Sequence, residues 1–378
     1  MEFIKPGVYI DFMRYRKVVI LVSILTVIGS LVLIVFPGPN YGIDFRGGTE
    51  IQLAFKGKVS AGELRSTLGS LGYSQPEVLS VEDRPNEFIV RIQEVSSLAD
   101  SKIKQIKSKI SSALGQTKIK EFKLSPGGDK ISLRLSGVTN EALLTHAVHA
   151  AGVKVRSASR FGSADQFRYE IRLQGVADKI VDKLQSKLGS RGPEAPRRVE
   201  WVGPKAGEQL RTAALQSLLY AVAFIMVYVA FRFDLRFAPG GVLAMVHDAI
   251  ITIGLFVLLR KEINLSTVAA LLTIMGYSIN DTIVIFDRIR ENMQRMRDKS
   301  LRELINISTS QMLSRTITTS GTTVLSVSAF FIWGTPVIQD IALAMVIGVV
   351  VGTYSSIYIA APVTEWMDRR FFRAGISR

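Results

Sequence analysis

The chain has 378 residues, a formal net charge of +15 and no cysteine, and its mean hydropathy is +0.26. Without cysteine, any domain outside the cytoplasm must be held by a hydrophobic core rather than by disulfides. The apolar residues fall into runs of about 20, the length that crosses a hydrocarbon core of about 30 Å. This clustering excludes an ordinary soluble protein with a basic surface.

The first apolar run, KVVILVSILTVIGSLVLIVF, predicts a membrane span at 17–36. It is longer than the core of a signal peptide, and Pro-Gly-Pro follows it in place of a small-residue cleavage site, so we expect it to stay uncleaved. Five further runs follow a long polar stretch and predict spans at 211–231, 240–259, 265–286, 314–333 and 341–362. We therefore expect a polytopic α-helical membrane protein with six transmembrane helices.

Lysine and arginine gather outside the predicted spans, at 1–16, 287–313 and 363–378. Because basic residues concentrate on the cytoplasmic side of membrane helices, we expect these segments and both termini to be cytoplasmic, with 287–313 as a basic loop between two spans. The polar stretch at 37–205 then lies outside. This topology accounts for the positive charge, so no nucleic-acid partner is expected, although basic chains often bind phosphate.

The polar stretch contains an internal repeat. The segment GGTEIQLAFKGKVSAGEL, from Gly47, matches GGDKISLRLSGVTNEALL, from Gly127, without a gap. Within each copy, alternating apolar residues predict strands and three- and four-residue spacings predict helices, in the order βαββαβ. That order is typical of a ferredoxin-like sandwich, so we predict an external α+β domain of two tandem units, 37–125 and 126–205. Such a sheet can add an extended peptide as a strand, and a spacer or docking role fits equally well.

Polar side chains interrupt three of the predicted spans, at His247 and Asp248, Asn280 and Asp281, and Arg315. A charge at membrane depth costs roughly 2.5–3.5 kcal/mol, so it generally serves an ion path or has a buried partner. At 1.5 Å per residue, Asp248 lies roughly 13 Å deep and Asp281 roughly 9 Å deep. Arg315 can reach the same level through its long side chain. Asp281 is thus a candidate proton carrier.

The alternative for Asp281 is a static buried pair with Arg315. For Asp248 it is a hydrogen bond to Ser or Thr of a neighbouring helix, and His247 alone is expected to be a packing residue. The candidate ion-path residues are Asp281, Arg315, Asp248 and Asn280, and the coupling ion, proton or sodium, stays open.

Motifs for other chemistry are incomplete. Gly57-Lys58 lacks the earlier glycine of a phosphate-binding P-loop. His146 and His149 are spaced as H-x-x-H on a predicted helix, but no third ligand is evident and zinc needs three or four. Three histidines and no cysteine give no convincing nucleophile–base set. We therefore expect no catalytic residues, no metal and no cofactor, and thus no enzyme.

Six motifs together resemble the SecD/SecF family of protein-export membrane subunits, in its smaller, SecF-type members. They are IDFMRYRK at 10–17, GIDFRGGT at 42–49, VGP at 202–204, HD at 247–248, GYSINDTIVIFDRIREN at 276–292 and SRTITTS at 314–320. The resemblance covers all six spans in order. It implies a membrane domain of the resistance-nodulation-division superfamily, in which Asp281 and Arg315 match intramembrane residues implicated in proton passage. Asp248 matches the family's HD position, whose role is less certain.

The resemblance also implies a place in the bacterial cytoplasmic (inner) membrane, with the large domain periplasmic. Its partners would be SecD, the SecYEG channel with its associated small membrane subunits, membrane lipid, and unfolded secretory polypeptide on the outer face. The family is thought to use the proton-motive force to draw secreted chains outward. It has one βαββαβ unit, from the GGT strand to VGP, so one unit here is extra. Two other functions stay open. One is a non-conducting scaffold for SecD and the channel. The other is small-molecule efflux, which is disfavoured because six spans are half of an efflux pump.

Overall fold

The computed structural model describes residues 9–372 except 74–75, 82–83, 96–97, 126 and 164–165, and the side chain of Pro336 is also left out. The first eight residues of the predicted segment 1–16 and the last six of 363–378 lie outside this description. The chain divides into two compact units. We call Met1–Gly42 with Arg211–Arg378 the membrane unit, and Ile43–Leu210 the α/β unit.

The helices and strands of the described residues are as follows. The helices are Arg16–Val35 (α1), Ile43–Arg46 (α2), Ala61–Ser70 (α3), Asp100–Leu114 (α4), Glu141–His149 (α5), Val176–Leu188 (α6), Pro204–Arg232 (α7), Ala238–Leu258 (α8), Leu265–Arg295 (α9), Leu301–Trp333 (α10), Pro336–Ser355 (α11) and Ala361–Met367 (α12). The strands are Asn40–Tyr41 (β1), Gly48–Ala54 (β2), Glu77–Ser80 (β3), Glu87–Ile92 (β4), Ile119–Leu124 (β5), Lys130–Leu135 (β6), Val155–Phe161 (β7), Arg168–Leu173 (β8), Arg198–Val202 (β9) and Glu262–Ile263 (β10). Short 3₁₀ turns lie at Phe12–Arg14 and Gly189–Arg191, and π-helical turns at Ser356–Ala360 and Asp368–Phe372.

Five helical segments among the described residues are long and apolar enough to cross a membrane, namely α1, α7, α8, α9 and the run Val337–Phe372. The chain is therefore a multi-pass membrane protein. The fifth predicted span, 314–333, lies within α10, which has 33 residues but is rich in Ser and Thr. Several of these hydroxyls bond to the carbonyl one turn earlier, as Thr318 does to Ser314 at 2.8 Å, and so do not require water.

Segment 287–313, predicted as a loop, is mostly helical. Helix α9 runs on to Arg295, and α10 begins at Leu301 after a five-residue link. Ser300 and Glu303 form a capping box at this start, and hydrogen bonds from Ser300 lower the pKa of the Glu303 carboxyl. The loop prediction was wrong because the basic residues lie on exposed helix faces, while Ile289 and Ile305 continue the buried core.

The α/β unit contains two antiparallel four-stranded sheets, each covered by two helices. The first has strand order β3-β4-β2-β9, and its core joins Ile51 and Leu53 to Leu64 of α3 and Ile180 of α6. We call this group the GG sandwich, after its Gly47-Gly48 start. The second has order β5-β6-β8-β7, with α4 and α5 packed on it. We call this group, Asp100–Leu173, the inserted sandwich.

The predicted division into tandem units at 37–125 and 126–205 was wrong, although the repeat is real. Strand β5 of the first copy joins the sheet of the second, and α4 packs on that sheet. Conversely, β9 of the second copy joins the sheet of the first, and α6 packs on it. The link between β5 and β6 is the physical reason. Ser125 N donates to Lys130 O at 2.8 Å and Gly128 N to Ser125 O at 2.9 Å, so this short turn holds β5 and β6 as a hairpin.

The paired glycines at the start of β2 are required by close backbone contacts. Gly47 has φ 72° and Gly48 has φ 132°, in the region that side chains rarely adopt. A Cβ on Gly47 would lie 2.9 Å from Pro204 Cα, and one on Gly48 would lie 2.5 Å from Ile92 O. Both glycines thereby let β2 pair tightly with β4 and with the chain that leads into α7.

Replacing residues 100–173 by a short Gly-Ser linker should leave the GG sandwich folded, because all four of its strands and both helices remain. We expect the shortened chain to accumulate in membranes near the parent level, with a protease-resistant α/β core. Immunoblotting of membranes and limited proteolysis measure this.

The matched control removes residues 126–203, the second repeat copy. This deletion takes away α6 and β9 and exposes Ile51 and Leu53, and each buried side chain of this kind contributes about 1.5–3 kcal/mol. We expect rapid degradation. Equal accumulation of the two deletion chains would contradict the nested arrangement.

Candidate functional site

The first polar cluster of the membrane unit surrounds Asp281 on α9. Its side chain is buried, with 4% exposed, because the helix turns that residue toward α10 and α11. Ser320 Oγ of α10 donates to Asp281 Oδ2 at 3.2 Å, and Thr353 Oγ1 of α11 lies 2.7 Å from Ser320 Oγ. Three helices therefore meet at this carboxylate through hydroxyl groups.

The second cluster surrounds Asp248 on α8, which is fully buried. Ser278 of α9 donates to Asp248 Oδ2 at 2.5 Å, and Ser355 of α11 donates to the same oxygen at 2.8 Å. His247 Nδ1 lies 2.9 Å from Asp248 Oδ1. Asp248 thus has the serine partners on neighbouring helices that the sequence suggested as its alternative role.

The second cluster extends through His247, which the sequence indicated only as a packing residue. His247 Nε2 lies 3.4 Å from the Tyr354 hydroxyl of α11, and that hydroxyl is hydrogen-bonded to Ser23 of α1. Ser23 and Ser30 are the residues of α1 that are buried, so this helix turns its small polar side chains inward. A continuous hydrogen-bonded series therefore runs from α1 to Asp248.

Two of the predicted site residues lie apart from the clusters. Arg315 is exposed on α10, and within the described residues no ion pair joins it to Asp281. Asn280 is exposed, since a helix turns by about 100° per residue and directs it away from its buried neighbour. The structure therefore lacks the static Asp281–Arg315 pair considered from the sequence.

Glycines of α11 let it approach α9 closely enough to form both clusters. A Cβ on Gly352 would lie 3.0 Å from Ser278 Cβ and 3.4 Å from Asp248 Oδ2. A Cβ on Gly348 would overlap the side chain of Ile274. This Gly-xxx-Gly face is the small-residue pattern that brings membrane helices together.

Sequence reasoning missed a group of buried ion pairs where the last helix ends. Glu365 of α12 has 3% of its surface exposed and pairs with Arg16, at the start of α1, and with Arg369 at 2.6 Å. Asp368, 2% exposed, pairs with Arg236 at 3.1 Å. The available signal was two acids within an otherwise basic segment. Among the described residues, no three His, Asp or Glu side chains gather as metal ligands.

Comparison with known proteins adds to this geometry. A model of the SecD/SecF GG motif matches residues 32–59, and a model of the C-terminal part of protein export membrane protein SecD/SecF matches residues 183–370. These matches define a class, the protein-export membrane proteins.

Relatives at greater length define the family. Protein translocase subunit SecF of Koribacter versatilis is 35% identical over 350 residues, 87% of this chain and 84% of that protein. The SecF of Magnetococcus marinus is 35% identical over 368 residues, 97% of this chain and 95% of that protein. The chain belongs to the SecF family.

Solved structures with a similar fold are those of SecDF. The crystal structure of SecDF, a translocon-associated membrane protein from a Thermus species, matches 96% of this chain with a TM-score of 0.64 and 30% identity. A SecDF structure in a super-membrane-facing form matches 100% of it with a TM-score of 0.59 and 29% identity. The chain spans 39% and 41% of those SecDF chains.

Glu365→Gln should destabilise the membrane unit, because it leaves Arg16 without a buried counter-charge, and breaking such a pair costs about 3–5 kcal/mol. Denaturant unfolding of the purified chain in detergent measures the change. Arg16→Gln in the same background should restore part of the loss, and a double-mutant cycle with no coupling energy would contradict the assigned pair. Glu291→Gln, at an exposed ion pair of α9, is the matched control, and we expect it to change stability by less than about 1 kcal/mol.

Proposed function

We propose that the chain is a proton-coupled subunit of the Sec protein-export accessory machinery, which helps to draw secreted polypeptides across the cytoplasmic membrane. Membership of the SecF family supports the export role. The observation that carries the coupling is the burial of Asp281 with a hydroxyl as its hydrogen-bond partner. A charged group at membrane depth is costly and generally serves transport.

The surroundings of Asp281 suit a group that gains and loses a proton. Within the described residues its partner is the Ser320 hydroxyl, and no cation lies within ion-pair distance. Protonation therefore breaks no salt bridge. Ser320 and Thr353 can both donate and accept hydrogen bonds, so they can accommodate either state of the carboxylate.

A structural change must accompany the proton if it is to perform work, because an ion shifts an equilibrium only by binding two packings with different affinity. The segment next to both clusters is the π-helical turn Ser356–Ala360. π-helical turns occur mostly as single turns inside α-helices, frequently at functional sites. Thr282 of α9 and Ser356 of this turn are hydrogen-bonded at 2.8 Å, so we place the movement between α9 and α11.

Arg315 is exposed on α10 and has a separate role in this proposal. In the present packing its guanidinium lies on the outer surface of α10, where the SecD helices would pack. In the alternative packing we expect it to approach Asp281. Asn280, exposed on α9, would face the same partner helices rather than the carboxylate.

We also propose the number of spans, the membrane topology and the fold of the two sandwiches. We place α10 as a sixth span and both termini in the cytoplasm, which puts the α/β unit on the periplasmic side of the inner membrane. The two sandwiches are ferredoxin-like, since their sheet orders correspond to that topology, and the inserted one is a circularly permuted version. Resistance-nodulation-division symmetry with SecD, and contact with the SecYEG channel, lipid and the emerging polypeptide, complete the arrangement.

A non-conducting scaffold is the second candidate function, and the buried ion pairs of Glu365 and Asp368 favour it as a device for rigid assembly. In that case Asp281 would serve packing alone. The two functions differ in what they require of the carboxylate's charge.

Asp281→Asn should abolish proton-dependent stimulation of export, because an amide keeps the shape and the Ser320 contact but cannot exchange a proton. We expect at least a tenfold loss in export by inverted membrane vesicles, at an unchanged level of the complex with SecD. Asp287→Asn makes the same chemical change at an exposed position of the same helix and should retain export. Full export by the Asp281→Asn variant would contradict proton coupling at this residue and support the non-conducting scaffold.

The coupling ion can be identified by varying pH and sodium separately in sealed vesicles that contain the chain and SecD. We expect stimulation to follow the pH gradient and to be unaffected by a sodium gradient. Stimulation that requires sodium at a fixed pH gradient would identify sodium as the ion and contradict the proton assignment.

A further inference from the structure

The inserted sandwich carries almost all the excess charge of the α/β unit. Between Asp100 and Leu173 the sequence has fourteen Lys and Arg against six Asp and Glu, a net charge of +8. The GG sandwich, counted over residues 43–94 and 175–203, has twelve of each and no net charge. The membrane topology rule does not explain this difference, because it concerns basic residues near membrane helices.

Much of the charge lies on the sheet face that α4 and α5 leave uncovered. Ile131, Leu133, Tyr169 and Ile171 point into the core, so the intervening residues of β6 and β8 point to the other face. This open face also includes residues of β5 and β7, by their strand register. Its members are Glu121, Lys123, Lys130, Ser132, Arg134, Ser157, Ser159, Phe161, Arg168, Glu170 and Arg172.

Like charges are paired directly across the two central strands. Lys130 lies opposite Arg172, and Arg134 lies opposite Arg168. Like charges in this relation destabilise a sheet. The stability of the sheet therefore does not favour basic residues at these four positions. A negatively charged ligand would offset their mutual repulsion.

The acids of the open face leave part of this positive charge uncompensated. Glu121 pairs with Lys123 at 2.6 Å, and Glu170 pairs with Arg172 at 3.0 Å and with Lys130 at 3.5 Å. These cations lower the pKa of both carboxyl groups, which accordingly stay ionised in mildly acidic solution.

Within the described residues, Arg134 and Arg168 have no ion-pair partner. Both arginines lower the pKa of Glu121 by charge alone. Their guanidinium groups remain available to a ligand.

We infer that the open face of the inserted sandwich binds acidic segments of extended polypeptide. This inference deepens the proposed function and rests on it, since it assigns the emerging chain as the ligand. Among the described residues, the strands contribute one large apolar side chain to this face, Phe161, and Trp201 of the GG sandwich borders it beside Lys130 and Arg172. Peripheral membrane-binding surfaces generally add several apolar anchors to their charge.

The spacing of the face also favours a polypeptide. Lys130, Ser132 and Arg134 follow at every second residue of one strand, about 6.6–6.8 Å apart. An extended polypeptide repeats its side chains at the same distance. Alternate carboxylates of such a chain can therefore meet successive donors, with arginine offering paired N–H groups to each carboxylate.

The test uses the full chain in nanodiscs of neutral lipid, with no ion gradient, and a fluorescent 16-residue peptide of alternating Glu and Ser. We expect the acidic peptide to bind at least tenfold more tightly than a Gln-Ser peptide, and its affinity to fall with added salt. Equal affinity of the two peptides would overturn the inference.

The double variant Arg134→Gln with Arg168→Gln should weaken binding of the acidic peptide about fivefold to tenfold, since exposed charge pairs contribute modestly. It should also raise the thermal stability of the inserted sandwich, because it removes a like-charge pair. Lys104→Gln with Lys107→Gln is the matched control, with the same charge change on the exposed face of α4, and should bind within twofold of the parent. Equal losses in the two variants would overturn the assigned face.

Vesicles rich in phosphatidylglycerol distinguish a membrane ligand. If the arginine variant of the full chain in nanodiscs loses binding to these vesicles while its affinity for the acidic peptide is unchanged, the face binds lipid and the inference fails. Because binding is measured without a gradient, its failure is separate from a failure of proton coupling at Asp281.

Discussion

The close approach of α11 to α9 at Gly352 is the contact on which the polar interior of the membrane unit depends. Because lipid offers no hydrogen bonds, each polar group in the bundle needs a partner inside it. With glycine at this position, Ser278 and Ser355 both reach Asp248. A side chain there would contact Ser278 at 3.0 Å and separate the helices that supply these hydroxyls. Packing and polarity in this bundle are therefore one constraint.

The two buried aspartates differ in how firmly that constraint holds them. Within the part of the chain that the structure describes, Asp248 has contacts from Ser278, Ser355 and His247, drawn from α8, α9 and α11, whereas Asp281 has one hydroxyl contact, from Ser320. A carboxylate with several donors is fixed in orientation, and its loss would leave those donors unsatisfied. A carboxylate with a single donor leaves fewer donors unsatisfied when its charge is removed. Asp248 is thus held by more contacts than Asp281 within the same bundle.

Individual elements were largely predictable from sequence, because their signals are local. Alternation located β6 and β8, and apolar spacing located α4 and α6. The packing of α6 and β9 in the GG sandwich was not predicted, because both repeat copies have the same order of strands and helices. The short link between β5 and β6 is the local feature that favours pairing these two strands as a hairpin. Likewise, the exposure of Arg315 depends on how α10 rotates in the bundle, which no local pattern determines.

The position of the insertion explains how a second sandwich can be added without disturbing the first. It lies between β4 and α6, so β2 keeps β4 and β9 as its neighbours, and Gly47 keeps its contact with Pro204 at the start of α7. The GG sandwich therefore needs no new core residue to accommodate the insertion. Because the inserted sheet does not hold the chain that leads into α7, it can retain opposed cations that reduce its own stability. A structural spacer would gain nothing from these opposed cations.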